Sequence, residues 1–354
     1  MNGYPRRPAP SRALALSGGG LSLAALAIAV VSPAALAGWL TAFAFWSSLP
    51  LGALLMVMMM RIIPGTWREE LGPASEAALL LTPLAALAAI PVLAGLPALY
   101  GWAGKTGGSG FQGVYLQPWF FTLRTVLFFA LSGALAFLLL RRRDLAMPVA
   151  TVGLIVFVLF HTVIAVDWLM SLDAGFHSSG FGLYVLSIQA TIALAALLVV
   201  RLAGGGTAER TGTLGGLLLT ALLLWAYLAF MQYFIIWSDN LPASVEWYQR
   251  RGHGAWAAVE YMIGTLGLAP IFLLLLAPVR RSRAWLIALC CAALLGKALE
   301  IAWLVLPGNG AGPAAALAAL SAHAGLGALI GAALGEAMRR RDRPAPLVQG
   351  EAGP

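Results

Sequence analysis

Residues 37–60 read AGWLTAFAFWSSLPLGALLMVMMM, twenty-four positions without a charged side chain, closed by Arg61. A helix rises about 1.5 Å per residue, so roughly 20 apolar residues cross the ~30 Å hydrocarbon core of a bilayer. This stretch has that length and composition, and it sets the reading of the rest. Comparable runs fall at 14–31, 75–98, 120–140, 148–170, 180–202, 213–237, 255–278, 284–306 and 313–336. Sixty per cent of the chain is hydrophobic and only 10% is charged, with a mean hydropathy of +0.86. A soluble globule is about a quarter charged, so this core needs lipid around it. The sequence therefore predicts an all-α polytopic membrane protein with about ten transmembrane helices. A single transmembrane domain covers 13–338, between Pro- and Arg-rich disordered tails at 1–12 and 339–354. The segments between runs are too short for a soluble domain.

The net charge of +8 is distributed unevenly. With the N-terminus placed in the cytoplasm, 17 of the 22 Lys and Arg residues fall on that side, among them Arg61, Arg68, Arg141–Arg143, Arg280, Arg281 and Arg339–Arg341. Three fall on the other side, Lys105, Arg250 and Arg251, and two, Arg124 and Lys297, lie within spans. Such an asymmetry follows the positive-inside rule for a bacterial inner membrane protein with both ends cytoplasmic. The basic character is thus topology and attraction to anionic headgroups, not nucleic-acid binding. Arg6 to Arg12, the first apolar run and Ala35-Leu36-Ala37 also have the form of a secretory signal and its cleavage site. Cleavage would leave nine spans, and both readings stay open. The two cysteines, Cys290 and Cys291, are adjacent within one span and form no haem-attachment or zinc motif.

Connections at 104–110 and 203–212 are Gly/Ser-rich and read as flexible, whereas 171–179 and 238–254 carry aromatic and polar residues and read as structured outer loops. Phe45-Trp46-Ser47-Ser48 and Phe176-His177-Ser178-Ser179 each precede a span running from outside to inside. They suggest a repeat, with two four-helix bundles built from spans 2–5 and 6–9 and peripheral helices beside them. Trp39, Trp102, Trp119 and Trp237 sit near the outer boundary, as an aromatic belt does.

An ionisable group within a span costs roughly 2.5–3.5 kcal/mol on insertion scales, so each needs a reason. The candidates are Arg124, His161, Asp167, Glu260, Lys297, Glu300 and His323, all between the midplane and the outer face on the predicted topology. One reading is internal neutralisation, Lys297 with Glu300 three residues later and Arg124 with a carboxylate of a neighbouring span. The other is a proton half-channel opening outward through His161, Asp167, Glu260, Lys297 and Glu300, because relays are built from such groups. His161 and His323 at similar depth would also suit a b-type haem if they faced one another. No residue pattern marks a catalytic set or a metal site.

Four blocks resemble one family. The first is Asp167-Trp168-Leu169-Met170-Ser171-Leu172-Asp173 followed by Phe181-Gly182-Leu183-Tyr184. The second runs from Trp39 to Gly52, with Trp67 and Glu76 beyond it. The third is Phe120-Phe121-Thr122-Leu123-Arg124. The fourth is Phe230-Met231-Gln232-Tyr233 through Trp237, Asn240, Pro242, Trp247, Tyr248 and Arg250. Together they resemble the ActF-type membrane subunit of alternative complex III, a quinol:cytochrome c oxidoreductase, which is related to NrfD-like quinone-binding subunits. The chain departs from that pattern at Ala174, Gly175, His177, Ala243 and Ser244.

The resemblance implies a subunit with no redox centre of its own, either non-catalytic or handling quinone and protons. Its implied partners are an NrfD-like quinone-binding subunit, a multihaem cytochrome c and an iron–sulfur subunit, which hold the haem and iron–sulfur centres. It implies roles at Arg124, Trp168, Ser171, Asp173, Trp237, Asn240 and Pro242, and leaves contact with quinone open. A proton-coupled transporter and an accessory or assembly protein of a terminal oxidase remain rival readings of the same charges.

Overall fold

Lipid offers the backbone no hydrogen-bond partner, so a chain of this composition can cross a bilayer only by bonding within itself. The computed structural model describes residues 12–104, 110–173, 175–204, 210–239, 242–309 and 312–342, and no strand occurs among them. The helices in chain order are α1 (Arg12–Val31), α2 (Leu36–Ile62), α3 (Thr66–Leu79), α4 (Thr82–Ala94), α5 (Leu96–Leu99), α6 (Gly110–Tyr115), α7 (Pro118–Arg141) and α8 (Ala146–Trp168). They continue as α9 (Phe181–Ala203), α10 (Thr211–Asp239), α11 (Pro242–Arg251), α12 (Ala255–Leu275), α13 (Ala277–Arg281), α14 (Arg283–Val305) and α15 (Pro313–Asp342). Among the described residues nine helices are long and apolar enough to span, and the bent pair α3 and α4 makes a tenth. The chain is an all-α polytopic membrane protein.

The third span differs from expectation. The sequence places it at 75–98, but it begins at Thr66 and bends by 47° between α3 and α4. Pro83 causes the break: it has no N–H to give the Leu79 carbonyl, and its ring crowds that turn. The Thr82 hydroxyl donates to the Leu79 carbonyl at 2.8 Å instead. Glu69 and Glu70 hid the start of this span, since two carboxylates interrupt the apolar pattern. At the far end α15 continues to Asp342, past the expected boundary at 338. The Gly/Ser-rich connections lie largely outside the described residues.

The packing follows the repeat. In the first bundle α2 packs against α3 and α4, α4 against α7, α7 against α8, and α8 back against α2. In the second, α9 packs against α10, α10 against α12, α12 against α14, and α14 back against α9. The two circuits have the same order, and α2 against α9 joins them. The tetrads that suggested this repeat are not equivalent, however. Phe45–Ser48 lies within α2, whereas Phe176–Ser179 precedes α9. Peripheral α1 and α15 pack on each other and on α2.

Small residues permit these contacts, as they do where helices meet in lipid. A Cβ on Gly18 would lie 2.9 Å from the Gly325 carbonyl oxygen, and one on Gly52 would lie 2.5 Å from the Ala193 Cβ. The arginines gather at one end of the bundles, where ion pairs tie the helices. Arg201 joins Glu70 at 2.7 Å, and Arg61 joins Glu76 at 2.8 Å. The opposite end carries α5, α6 and α11 and the candidate site.

Candidate functional site

In the first bundle, α7 begins at Pro118, whose fixed φ suits a first helical turn. That start places Arg124 two turns inside, opposite the last turn of α8. Arg124 donates Nε to Asp167 Oδ2 at 2.6 Å and Nη2 to Asp167 Oδ1 at 2.9 Å, a bidentate pair. Nη2 also reaches the Tyr115 carbonyl at 3.1 Å, and the guanidinium lies over the rings of Tyr115 and Phe120 at 4.0 and 4.3 Å. Asp167 has 0% exposure. Burial and then the Asp167 charge hold the Tyr115 phenol above its ordinary range.

The next turn anchors the helix end. Trp168 Nε1 donates to Thr125 Oγ1 at 3.1 Å, and the Ser171 hydroxyl donates to the Asp167 carbonyl at 2.6 Å. Tyr100 Oη donates to the Trp168 carbonyl at 3.0 Å, and Trp102 Nε1 donates to the Ser171 carbonyl at 3.1 Å. This corner is a neutralised ion pair clamped by phenol, indole and hydroxyl groups.

His161, one and a half turns deeper, does not join that corner. Its Nε2 pairs with Gln189 Oε1 of α9 at 2.9 Å, and its Nδ1 has no partner among the described residues. His323 packs its ring against Phe45 at 5.4 Å between centroids, beside an apolar groove of about 740 Å³ between α2, α9, α14 and α15. The two histidines line separate cavities and do not face one another as a haem pair would.

The second bundle holds the other buried charges. Lys297 donates to Glu300 Oε2 at 2.7 Å, and its ammonium lies 2.9 Å from the centroid of the Trp225 ring. Glu300 Oε1 accepts from Tyr184 Oη at 2.5 Å and from Trp225 Nε1 at 2.8 Å. Lys297 is 1% exposed and Glu300 2%. A charged pair this deep holds only because every oxygen has a donor.

Glu300, Tyr184 and Trp225 form the wall of a cavity of about 370 Å³ that Gln232, Tyr248 and Glu260 also line. Glu260 has no hydrogen bond or ion pair among the described residues, and it faces Tyr248. Burial first, and the Glu260 charge second, raise the Tyr248 phenol. Gln232 Oε1 accepts from Ser178 at 2.8 Å, while its Nε2 is buried without a partner. The cavity therefore offers a free carboxyl, a phenol leading to a buried carboxylate, and an unused amide donor on aromatic walls.

The five proton-path candidates thus fall into three places. Glu260, Glu300 and Lys297 belong to one cavity system, Asp167 is held by Arg124, and His161 stands with Gln189. Internal neutralisation accounts for Lys297 with Glu300 and for Arg124 with Asp167. Of the remaining motif residues, Asp173 pairs with Arg250, and its Oδ1 accepts from Gly175 N at 3.1 Å. Trp237 is 65% exposed. Pro242 opens α11, and Asn240 lies outside the described residues.

Sequence reasoning missed Arg251, which it counted only as a loop charge. Its side chain is 2% exposed and lies 3.6 Å over the Trp247 ring. It donates to the Trp303 carbonyl at 3.1 Å, the Leu304 carbonyl at 3.1 Å and the Trp247 carbonyl at 3.0 Å. It thereby caps the end of α14, where a helix leaves carbonyls unpaired and favours a cation. Burial lowers its guanidinium to about 9, still protonated at neutral pH. The signal available in the sequence was an arginine in an aromatic loop, which does not reveal which helix end it meets.

No protein-family model matches the chain. No curated protein matches it.

Proposed function

We propose that the chain is an integral membrane subunit, without its own redox centre, of a respiratory quinol:cytochrome c oxidoreductase of the alternative complex III type. Electrons would travel through an NrfD-like partner and through multihaem and iron–sulfur subunits. The observation that carries this reading is the meeting of separate sequence blocks at one end of the molecule. Arg124 of one block pairs with Asp167 of another, and Phe176, beside the first block, stacks on Trp247 of a third at 4.2 Å. These contacts between separate blocks support reading them as one pattern.

The positive-inside asymmetry supports a cytoplasmic location for the arginine-rich end and both termini in a bacterial inner membrane. The cavity then opens on the outer side. Glu260 would exchange protons with the outer aqueous phase, and Tyr184 would connect the cavity to Glu300. That arrangement suits proton release or uptake at one face rather than a path through the whole membrane. A transporter would be expected to break its helices at the binding site. Here the broken span belongs to the first bundle and the cavity to the second.

The test is genetic and kinetic. Removing the gene from its host should abolish quinol-driven cytochrome c reduction in isolated membranes, and the wild-type gene should restore it. Glu260→Gln should restore assembly while slowing outer-face proton exchange. Undiminished quinol oxidation in the deletion strain would refute the proposal.

A further inference from the structure

At the arginine-rich end, the carboxylates described there are committed. Glu76 accepts from Arg61 at 2.8 Å and from Arg341 at 2.5 Å. Glu70 pairs with Arg201 at 2.7 Å, and Glu69 with Arg210. Glu336 takes Arg339 and Arg340, and Asp144 takes Arg142 at 3.4 Å. Arg68 is left over: its side chain is exposed and its guanidinium has no hydrogen bond or ion pair among the described residues.

Arg68 does not stand alone on a surface. It shares a pocket of about 240 Å³ with Arg61, Glu76 and Arg341, from the ends of α2, α3 and α15. Three guanidiniums face one carboxylate, so the pocket carries two uncompensated positive charges. Guanidinium forks match phosphate oxygens in geometry as well as charge. Val57 and Met60, from the last turns of α2, also line the pocket, but each is only 2% exposed. This cationic pocket lies at the arginine-rich end of the spans, where α2 leaves the hydrocarbon and anionic headgroups are attracted to basic residues.

We infer that this pocket binds the phosphate of an anionic phospholipid. Free phosphate shares the headgroup chemistry but is not held at the bilayer surface where the pocket lies, and a zwitterionic lipid brings its own cation into a positive pocket. The occupant therefore serves as a clasp between α2, α3 and α15, three helices otherwise tied here through Glu76.

The experiment is native mass spectrometry of the full-length protein, delipidated in mild detergent. It is titrated with phosphatidylglycerol, phosphatidylcholine or inorganic phosphate. A basic residue near an anionic lipid contributes about 1 kcal/mol, so Arg68→Gln should weaken phosphatidylglycerol binding about fivefold, with Arg68→Lys between the two. Arg283→Gln, at the same end but outside the pocket, should bind as the wild type does. Wild type should prefer phosphatidylglycerol to phosphatidylcholine, a comparison that needs no variant. Equal binding of the two lipids, or unchanged affinity in Arg68→Gln, would overturn the assignment. Saturation by inorganic phosphate with no gain from phosphatidylglycerol would overturn the lipid in favour of a free anion.

Discussion

Asp167→Asn removes one charge and almost no volume, so it isolates what the ion pair with Arg124 contributes. In the wild type, both carboxylate oxygens accept from the guanidinium, at 2.6 and 2.9 Å, with Asp167 fully buried. The variant leaves the Arg124 guanidinium buried without its counter-charge. Breaking one side of a buried pair costs ~3–5 kcal/mol. Two aromatic faces and the Tyr115 carbonyl remain, and a desolvated cation–π contact returns ~1–2 kcal/mol. The expected net loss is therefore about 1–4 kcal/mol, dominated by the orphaned charge. Unfolding in mixed micelles with increasing dodecyl sulfate, followed by tryptophan fluorescence, measures it. Replacing both partners, as in Arg124→Met with Asp167→Leu, removes the charge and its counter-charge together and should cost less than Asp167→Asn alone. A single variant within ~0.5 kcal/mol of wild type, the spread ordinary surface substitutions show, would refute the reasoning.

Three other expectations follow from the same contacts. Glu300→Gln strands Lys297 against the Trp225 face and should lower stability by about 2–4 kcal/mol; adding Lys297→Met should recover part of that in the same unfolding assay, and no recovery would count against the pair. Gly52→Val places a branched side chain where a Cβ already meets Ala193 at 2.5 Å, and overpacking of this kind costs ~1–3 kcal/mol. It should also disturb Gln189 and so expose His161 to diethylpyrocarbonate, whereas an unreactive His161 would argue that α2 and α9 pack more loosely. Arg251→Met leaves three carbonyls without their donor, at ~1–3 kcal/mol for an unsatisfied buried group. Hydrogen exchange over 242–251 should then quicken, and unchanged protection would mean that aromatic stacking alone holds α11.

The fold was largely legible because one physical constraint governs it: a run such as 37–60 has a single stable conformation in lipid. The repeat of two four-helix circuits was also accessible, though the tetrads that suggested it occupy different places in α2 and before α9. What the sequence obscured was the start of the third span, where Glu69 and Glu70 interrupt the apolar pattern ahead of the run at 75–98. Their partners, Arg210 and Arg201, are distant in the chain, so the compensation cannot be seen from local pattern. The same holds for the site. Lys297 and Glu300 were readable as a pair because three residues put them on one helix face. The Arg124 partner needed the register of α7 against α8, and the capping role of Arg251 needed the position of the α14 end. Asp167 and Glu260 looked alike as intramembrane carboxylates, yet one is locked by a guanidinium and the other lines an open cavity.

The central claim is membership of a multi-subunit quinol-oxidising complex, and mass spectrometry of the material that co-purifies with the tagged chain tests it most directly. The chain should be expressed in its own host and extracted in mild detergent. Recovery of an NrfD-like subunit with multihaem and iron–sulfur subunits, in fixed proportion, is the predicted result. Recovery of the chain alone, under conditions that keep other respiratory complexes whole, would contradict the account.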